Sequence, residues 1–301
     1  MAEAKTPRVY VVFPVHNRVE ETRVFLQSVE RQTYSNFITV VCDDGSTDGT
    51  KDYIKQNHSD VVVLSGDGNL WWTRGINCCI EYALSHCGEN DFILTINNDS
   101  VISPDYIKQK VERANTHTNA IIGSLGVFMD NPDLIETSGW IVDRDKCRGV
   151  SLTKTGEKRT EEHSGMVEVS YLPGKGVLFP VAVFRHIGLF DAEHFPQYHA
   201  DTDLILTAYE AGYKVYLDYD SVVYSDVNTK NMVLPDQKMT IGDIIKTFRG
   251  PYSVSNFQVY KYYAEKHFPD KQFRFLATAY IRTFGGLFLR YCRDRVRRLS
   301  G

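Results

Sequence analysis

Three short polar runs break off from apolar neighbours and carry the carboxylates best placed for chemistry. Phe92 to Ile96 stops at Asn97-Asn98-Asp99-Ser100. Asn and Asp are turn residues, so this run can simply close a strand; it can also hold one carboxylate, Asp99, toward a metal ion or a phosphate. Asp43-Asp44-Gly45-Ser46 follows a second apolar run. A carboxylate there either caps the next helix or accepts hydrogen bonds from a nucleobase or ribose. His199-Ala200-Asp201-Thr202-Asp203 precedes an apolar helical stretch. Asp201 or Asp203 caps that helix, or one of them is a general base that takes a proton from an attacking hydroxyl.

Two further groups stand beside these. Asn69-Leu70-Trp71-Trp72-Thr73-Arg74-Gly75 opens a helix. Trp71 and Trp72 can wall a sugar or a base, or at least one can pack in the core. Arg74, in the first helical turn, can face a phosphate. Pro173-Gly174-Lys175-Gly176 permits close backbone approach to a ligand and equally suits a hairpin turn. A Walker phosphate loop is absent, and Gly66-Asp67-Gly68 lacks the third glycine of a dinucleotide fingerprint. The six cysteines form no C-x-x-C pair, and no His cluster has zinc-like spacing, so they read as reduced thiols of a cytosolic protein.

The elements that must position these residues alternate in type. Strands are expected at Arg8 to Phe13, Ile38 to Cys42, Val61 to Leu64 and Phe92 to Ile96, with helices at Glu20 to Gln32, near Asp52, Thr73 to Cys87 and Pro104 to Asn115. Such alternation implies an α/β fold, a mostly parallel sheet covered on both faces. Ligands of these sheets bind beyond the carboxyl ends of the strands. Those ends carry Pro14 to Arg18, Asp43-Asp44, Gly66 to Asn69 and Asn97 to Asp99, so polar chemistry collects on one edge. Further strands are expected at Ala120 to Phe128, Leu134 to Val142, Val167 to Leu172, Val177 to Pro180, Lys214 to Leu217 and Ser221 to Tyr224. Arg144 to Gly165 reads as loop, Asp201 to Gly212 as a helix with a glycine cap, and the chain from Ile241 onward as helical.

Among 301 residues, 43% are hydrophobic and 24% charged, ordinary globular proportions. The net charge of -4 gives no case for nucleic-acid binding. Charge is nevertheless loaded at the end: from Lys271 onward there are eight Lys or Arg against one acid, Asp294. Phe273, Phe275, Tyr280, Ile281, Phe284 and Phe288 are interleaved with these bases. The segment reads as a basic amphipathic helix for an anionic membrane surface, or as a helix packed on the main domain with a solvated basic end.

The ordered motifs resemble those of family 2 glycosyltransferases with the nucleotide-sugar-binding GT-A fold, most closely a rhamnosyltransferase-like branch. The matching pieces are VVFPVHNR from Val11, VVCDDGSTDGT from Val40, GNLWWTRGIN from Gly68, ILTINNDS from Ile93, YLPGKGVLFP from Tyr171 and HADTDLILTAYEAGYKVY from His199. The resemblance implies an inverting transfer from a dTDP- or UDP-linked sugar, rhamnose included, to a hydroxyl of a glycan or lipid-linked glycan. It implies Pro14, Asn17, Arg18, Asp44, Trp71, Trp72, Arg74, Asn77, Asn97 and Asn98 around the donor. It places Gly174, Lys175, Gly176 and His199 toward the acceptor, Asp99 on Mg²⁺ or Mn²⁺, and Asp201 as catalytic base. It divides the chain into a catalytic domain, 1–235, and a helical extension, 236–301, in a cytoplasmic protein peripheral to the inner face of the membrane. Asn97 takes the first place of the family's motif of Asp or Asn, any residue, then Asp, leaving one negative ligand; Ala200 stands where the base motif commonly has Glu, and Tyr224-Ser225-Asp226 where a metal-assisting His is common. A catalytically silent carbohydrate- or nucleotide-binding module on the same scaffold is the alternative.

Overall fold

The computed structural model describes residues 6–226 and 255–299, with Gly242, Phe248 and Ser253 between them, and side chains of the last helix as far as Leu289. The boundary expected at 235/236 and the first part of the helical pattern from Ile241 lie outside the described residues, as do the side chains of the terminal arginines.

The first half alternates β1 (Val9–Val15), α1 (Val19–Glu30), β2 (Phe37–Asp43), α2 (Thr50–Asn57), β3 (Val62–Ser65), α3 (Trp71–His86) and β4 (Phe92–Thr95). A three-residue β5 (Ser100–Ile102) and α4 (Tyr106–Thr116) follow. β1, β2, β3 and β4 are mutually parallel where they pair. β1 shows why such a strand must be central. Tyr10 and Val12 point into one core, while Val9, Val11 and Phe13 point into the other, and all five are buried. α1 covers the second face through Thr22, Phe25, Leu26 and Val29, and α3 covers the first through Thr73, Ile76, Ile80 and Ala83, each at helical spacing.

The second half completes one sheet of order β10-β12-β6-β11-β4-β1-β2-β3 with β6 (Ile121–Phe128), β10 (Met166–Glu168), β11 (Val177–Pro180) and β12 (Val215–Ser225). β11 runs antiparallel between β4 and β6, so the sheet is mixed around a parallel centre. α5 (Val181–Ile187) and α6 (Ala200–Glu210) lie on the face shared with α3. The run expected as one strand over Leu134 to Val142 is two, β7 (Ile135–Thr137) on β6 and β8 (Trp140–Asp143), because Gly139 between them lets Val169 approach the backbone. The stretch Arg144 to Gly165, expected as loop, contributes β9 (Arg148–Ser151), which forms a separate hairpin with β8. Lys214 to Leu217 and Ser221 to Tyr224 are one strand, β12, with a register shift between Asp218 and Val222. The helix expected from Pro104 starts at Tyr106, and α5 carried no helical expectation because Val181-Ala182-Val183-Phe184 is β-branched and short.

The C-terminal helices α7 (Phe257–His267) and α8 (Gln272–Leu299) are joined by a 3₁₀ turn, Pro269–Lys271. α7 is locked to α6. The buried Asp203 carboxylate meets Lys266 Nζ at 2.7 Å and His267 Nε2 at 2.9 Å, and Glu210 meets His267 Nδ1 at 3.0 Å. Arg144, just after β8, pairs with Glu210 and sits over the Phe268 ring. α8 buries Phe275 and leaves Phe273, Ile281, Phe284, Phe288 and Leu289 exposed. No helix among the described residues is long and apolar enough to cross a membrane.

Candidate active site

The carboxyl ends of β1, β2 and β4 and the start of α3 enclose a cleft of about 510 Å³, lined by Pro14, Arg18, Asp44, Trp71, Trp72, Asn97, Asn98 and Asp99 among others. Four sequence motifs separated by up to 85 residues therefore meet, as the parallel topology requires. Arg18 keeps its side chain a third exposed, with Glu21 4.0 Å away. A guanidinium so weakly engaged in a cleft is available to an anion.

Several of the polar residues turn out to build the cleft. Asp44 is buried, and its carboxylate accepts from the N–H groups of Gly68 (2.8 Å), Leu70 (2.9 Å) and Trp71 (3.1 Å). It thereby fastens β2 to the N-terminus of α3, whose next N–H groups, of Trp72 and Thr73, donate to Gln197 Oε1 and the Pro196 carbonyl. Asn17, at φ 51°, lies outside the cleft lining and accepts from Thr47 N at 2.7 Å, joining the first loop to the second. His16 Nδ1 contacts the Asp44 carbonyl at 2.5 Å. Asn97 Oδ1 accepts from Trp72 Nε1 at 3.1 Å, and Asn98 donates to Thr22 Oγ1 at 2.9 Å. Trp71 has φ 58° and remains 42% exposed at the mouth of the cleft. A bulky residue in that backbone region is strained, and such strain gathers at ligand sites.

Arg74 and Asn77 are not among the cleft-lining residues. Arg74 is exposed on the outer side of α3, and Asn77 bonds the backbone of Phe190 through both ends of its amide, at 2.8 and 3.1 Å.

Asp99 behaves differently from its neighbours. Its Oδ1 is buried and has no hydrogen-bond partner, so one carboxylate oxygen keeps its full accepting capacity. β5 pairs with the end of β12, Ser100 opposite Ser225, and this brings the Asp226 N–H to the Asp99 carbonyl at 2.9 Å. Among the described residues no group of three or more His, Cys, Asp or Glu could hold a metal ion. A single hard oxygen ligand suits Mg²⁺ or Mn²⁺ completed by phosphate oxygens and water, and does not suit a protein-only cage. The residues present thus fit a divalent cation held jointly with a diphosphate.

A second cavity, about 570 Å³, lies beyond Trp72 and contains Asp201 and His199. Asp201 Oδ2 accepts from Gly174 N at 2.6 Å and Oδ1 from Thr202 N at 2.8 Å, which fixes the carboxylate at the start of α6. Gly174 forms the partition: a Cβ there would lie 3.1 Å from Asp201 Cβ and 3.4 Å from Trp72 Cη2. Asp203, the other candidate base, faces away into the lock with α7. Lys175 is drawn to Glu136 at 3.1 Å, and the Gly176 carbonyl accepts from Tyr106 and Ser124 in the core, so these two shape the turn behind the cavity. The remaining walls come from residues that sequence reasoning did not single out: Trp140 and Arg148 of the β8–β9 hairpin, Tyr171, and Tyr260, Tyr263 and Arg282 of α7 and α8. Trp140 stacks on Tyr171, centroids 5.5 Å apart and nearly parallel.

These features define an α/β scaffold with two adjoining polar cavities, and comparison with known proteins gives its family. The chain belongs to glycosyl transferase family 2, whose profile matches residues 10–188. It is 24% identical over 230 residues to an uncharacterized glycosyltransferase of Rickettsia prowazekii, covering 74% of this chain and 65% of that protein. It is 30% identical over 163 residues to the putative glycosyltransferase EpsH of Bacillus subtilis, covering 53% of this chain and 42% of that protein. The chain therefore spans less than two thirds of the length of these relatives. Among solved structures it resembles GalNAc-T7 with UDP, GalNAc and Mn²⁺ (TM-score 0.59, 14% identity, 74% of this chain and 44% of that one). It also resembles the mannosyltransferase PcManGT of Pyrobaculum calidifontis with GDP-Man and Mn²⁺ (TM-score 0.53, 15% identity, 99% of this chain and 76% of that one). At these identities the likeness carries the GT-A fold.

Proposed function

We propose that this protein is an inverting glycosyltransferase, moving a sugar from a dTDP- or UDP-linked donor, rhamnose among the candidate sugars, to a hydroxyl of a glycan or lipid-linked glycan. The observation that carries this reading is that Asp99 lines one cavity and Asp201 its neighbour, with Trp72 of the first close to Gly174 and Asp201 of the second. In-line displacement needs the nucleophile opposite the leaving group, so the donor sugar must reach past Trp72 and Gly174 with its anomeric carbon open to both cavities.

In the transfer, the acceptor oxygen forms a bond to the anomeric carbon as the bond from that carbon to the diphosphate breaks. Asp201 takes the hydroxyl proton, and the nucleoside diphosphate departs. The two backbone N–H bonds to Asp201 hold its oxygens in place for this role. Arg18 faces the donor's phosphates, and Trp71 and Trp72 offer flat surfaces to the base and sugar. A divalent cation bound at Asp99 would neutralise charge developing on the leaving diphosphate. Since the protein offers that cation one buried acid oxygen, cation and nucleotide bind cooperatively. Calorimetry with Mn²⁺, UDP or dTDP, and both together tests this; tight Mn²⁺ binding by the nucleotide-free protein would contradict it.

The transferase reading is tested by incubating the full chain with nucleotide sugars and Mn²⁺ and following donor turnover, then repeating with Asp201→Asn. Turnover that survives the substitution unchanged removes Asp201 as base. Absence of any binding by nucleoside diphosphate sugars removes the reading altogether. The exposed strip Phe273, Ile281, Phe284, Phe288 and Leu289 on α8, continued in sequence by five arginines, supports peripheral attachment to an anionic membrane surface carrying a lipid-linked acceptor. Co-sedimentation with phosphatidylglycerol vesicles, compared with neutral vesicles, checks this: equal recovery on both excludes it.

A further inference from the structure

The cavity around Asp201 has a charge imbalance that a neutral acceptor would leave uncorrected. Arg148 and Arg282 both line it, and neither has an ion-pair partner among the described residues. Arg148 Nε is buried with no hydrogen-bond acceptor, a costly condition for a guanidinium donor. Three cations outside the cavity are, by contrast, engaged. Arg144 pairs with Glu210, Lys266 with Asp203, and Lys271 with Asp145. The one carboxylate of the lining among the described residues, Asp201, is held by Gly174 and Thr202. Tyr171 feels Arg282 and Asp201 together, so all three groups share one space; burial is the larger influence and pushes the Tyr171 hydroxyl up.

The hairpin that carries Arg148 is built to hold it there. Gly149, its neighbour on β9, lies directly under the Tyr171 ring, where a Cβ would come within 1.8 Å of the hydroxyl. Tyr171 in turn stacks on Trp140 of β8. An aromatic wall, two open guanidinium groups and a base therefore occupy one chamber. A guanidinium presents a planar fork that matches carboxylate and phosphate oxygens, and aromatic faces take the apolar side of a sugar ring.

We propose that the acceptor is an acidic saccharide, whose carboxylate or phosphate binds Arg148 and Arg282 while its hydroxyl lies at Asp201. This rests on the transferase reading and names its acceptor class. Uronic acids and sugar phosphates share the required chemistry.

The test uses the full chain and four small probes: methyl cellobiouronate beside methyl cellobioside, and glucose 6-phosphate beside glucose. Binding is measured by calorimetry with and without UDP and Mn²⁺. At least one acidic probe is expected to bind tenfold or more tightly than its neutral partner, and which one does so identifies the source of the acid. Arg148→Gln and Arg282→Gln should each abolish that preference without altering UDP affinity. Arg282 is exposed at the rim, so its variant keeps the test valid if the hairpin variant fails to fold. Arg148→Lys, which keeps the charge and loses the fork, should restore only part of the preference. Equal affinity for acidic and neutral probes, or no binding by either acid, overturns the proposal. Failure of UDP and donor sugars to bind overturns the transferase reading instead, so the two failures are distinguishable.

Discussion

The two cavities on either side of Trp72 are made in different ways. The Asp99 cleft is assembled from loops at the ends of adjacent parallel strands, and most of its polar side chains are engaged by the protein: Asp44 with the start of α3, Asn97 with Trp72, Asn98 with Thr22. The Asp201 chamber is assembled from a hairpin, a turn and two C-terminal helices, spanning Trp140 to Thr283, and it leaves two arginines open. The first is a frame of mutually bonded groups that keeps Asp99 Oδ1 and Arg18 for a ligand. The second is a chamber whose open charges remain for a ligand to satisfy. The difference teaches that a polar residue at a cleft is as often part of its masonry as of its recognition, and that hydrogen-bond accounting separates the two.

The comparison is tested hardest at Asp201. Asp201→Asn should lower turnover by about 10²- to 10⁴-fold, the usual worth of positioned proton transfer, with UDP affinity unchanged. Steady-state kinetics with a separate nucleotide titration checks both halves.

Next comes the lock that holds the chamber's far wall. Asp203→Asn removes the buried counter-charge of Lys266 and one of the two carboxylates on His267, and losing such charged hydrogen bonds costs about 1.5–3 kcal/mol. Urea unfolding should show a loss of that size. Limited proteolysis should show α7 and α8 released while UDP still binds.

Gly149→Ala should cost about 1–3 kcal/mol, the usual toll of overpacking, since Tyr171 must move off β9. Its acceptor KM should rise with donor KM unchanged; equal changes in both would show that the two cavities are not independent.

The lock should also respond to pH. Burial alone would lower the His267 pKa, but hydrogen bonds and charge from Asp203 and Glu210 outweigh it and hold the imidazole above its ordinary value. A raised folded-state pKa gives stability that is complete below the unfolded value, about 6.5, and lost as pH rises through the folded one. Release of α7 and α8 by protease should therefore grow with rising pH above neutrality, and His267→Gln should flatten that profile.

The smallest effect on folding is expected at Trp71→Gly. Relief of the left-handed backbone, about 1–3 kcal/mol, roughly offsets the entropy glycine adds to the unfolded chain. Stability should stay within about 1 kcal/mol of wild type, while affinity for UDP, read by calorimetry, falls through loss of the exposed ring.

Much of this molecule was legible in the chain itself. The two-sided burial of β1 and the helical spacing in α1 and α3 follow from local residue type, because an unbroken apolar run can satisfy both cores only as a central strand. The one-sided edge bearing Pro14, Asp44 and Asp99 follows from parallel topology, and the family could be named from six motifs in order. Local pattern did not reveal which carboxylates remain open. Asp44 and Asp99 both end apolar runs in Asx-rich turns, yet only tertiary contact gives Asp44 three N–H partners and leaves Asp99 Oδ1 with none. Nor did it choose between Asp201 and Asp203, two residues apart on one helical turn. The arrival of α7, some sixty residues later, claims Asp203 for Lys266 and His267 and leaves Asp201 to the chamber. Arg148 and Arg282 carry no motif, and Tyr171 opens one that assigns it no role, because their meeting depends on packing between distant elements. Sequence determines what a strand or helix must bury; which polar atoms stay unsatisfied is decided only when all the partners are in place.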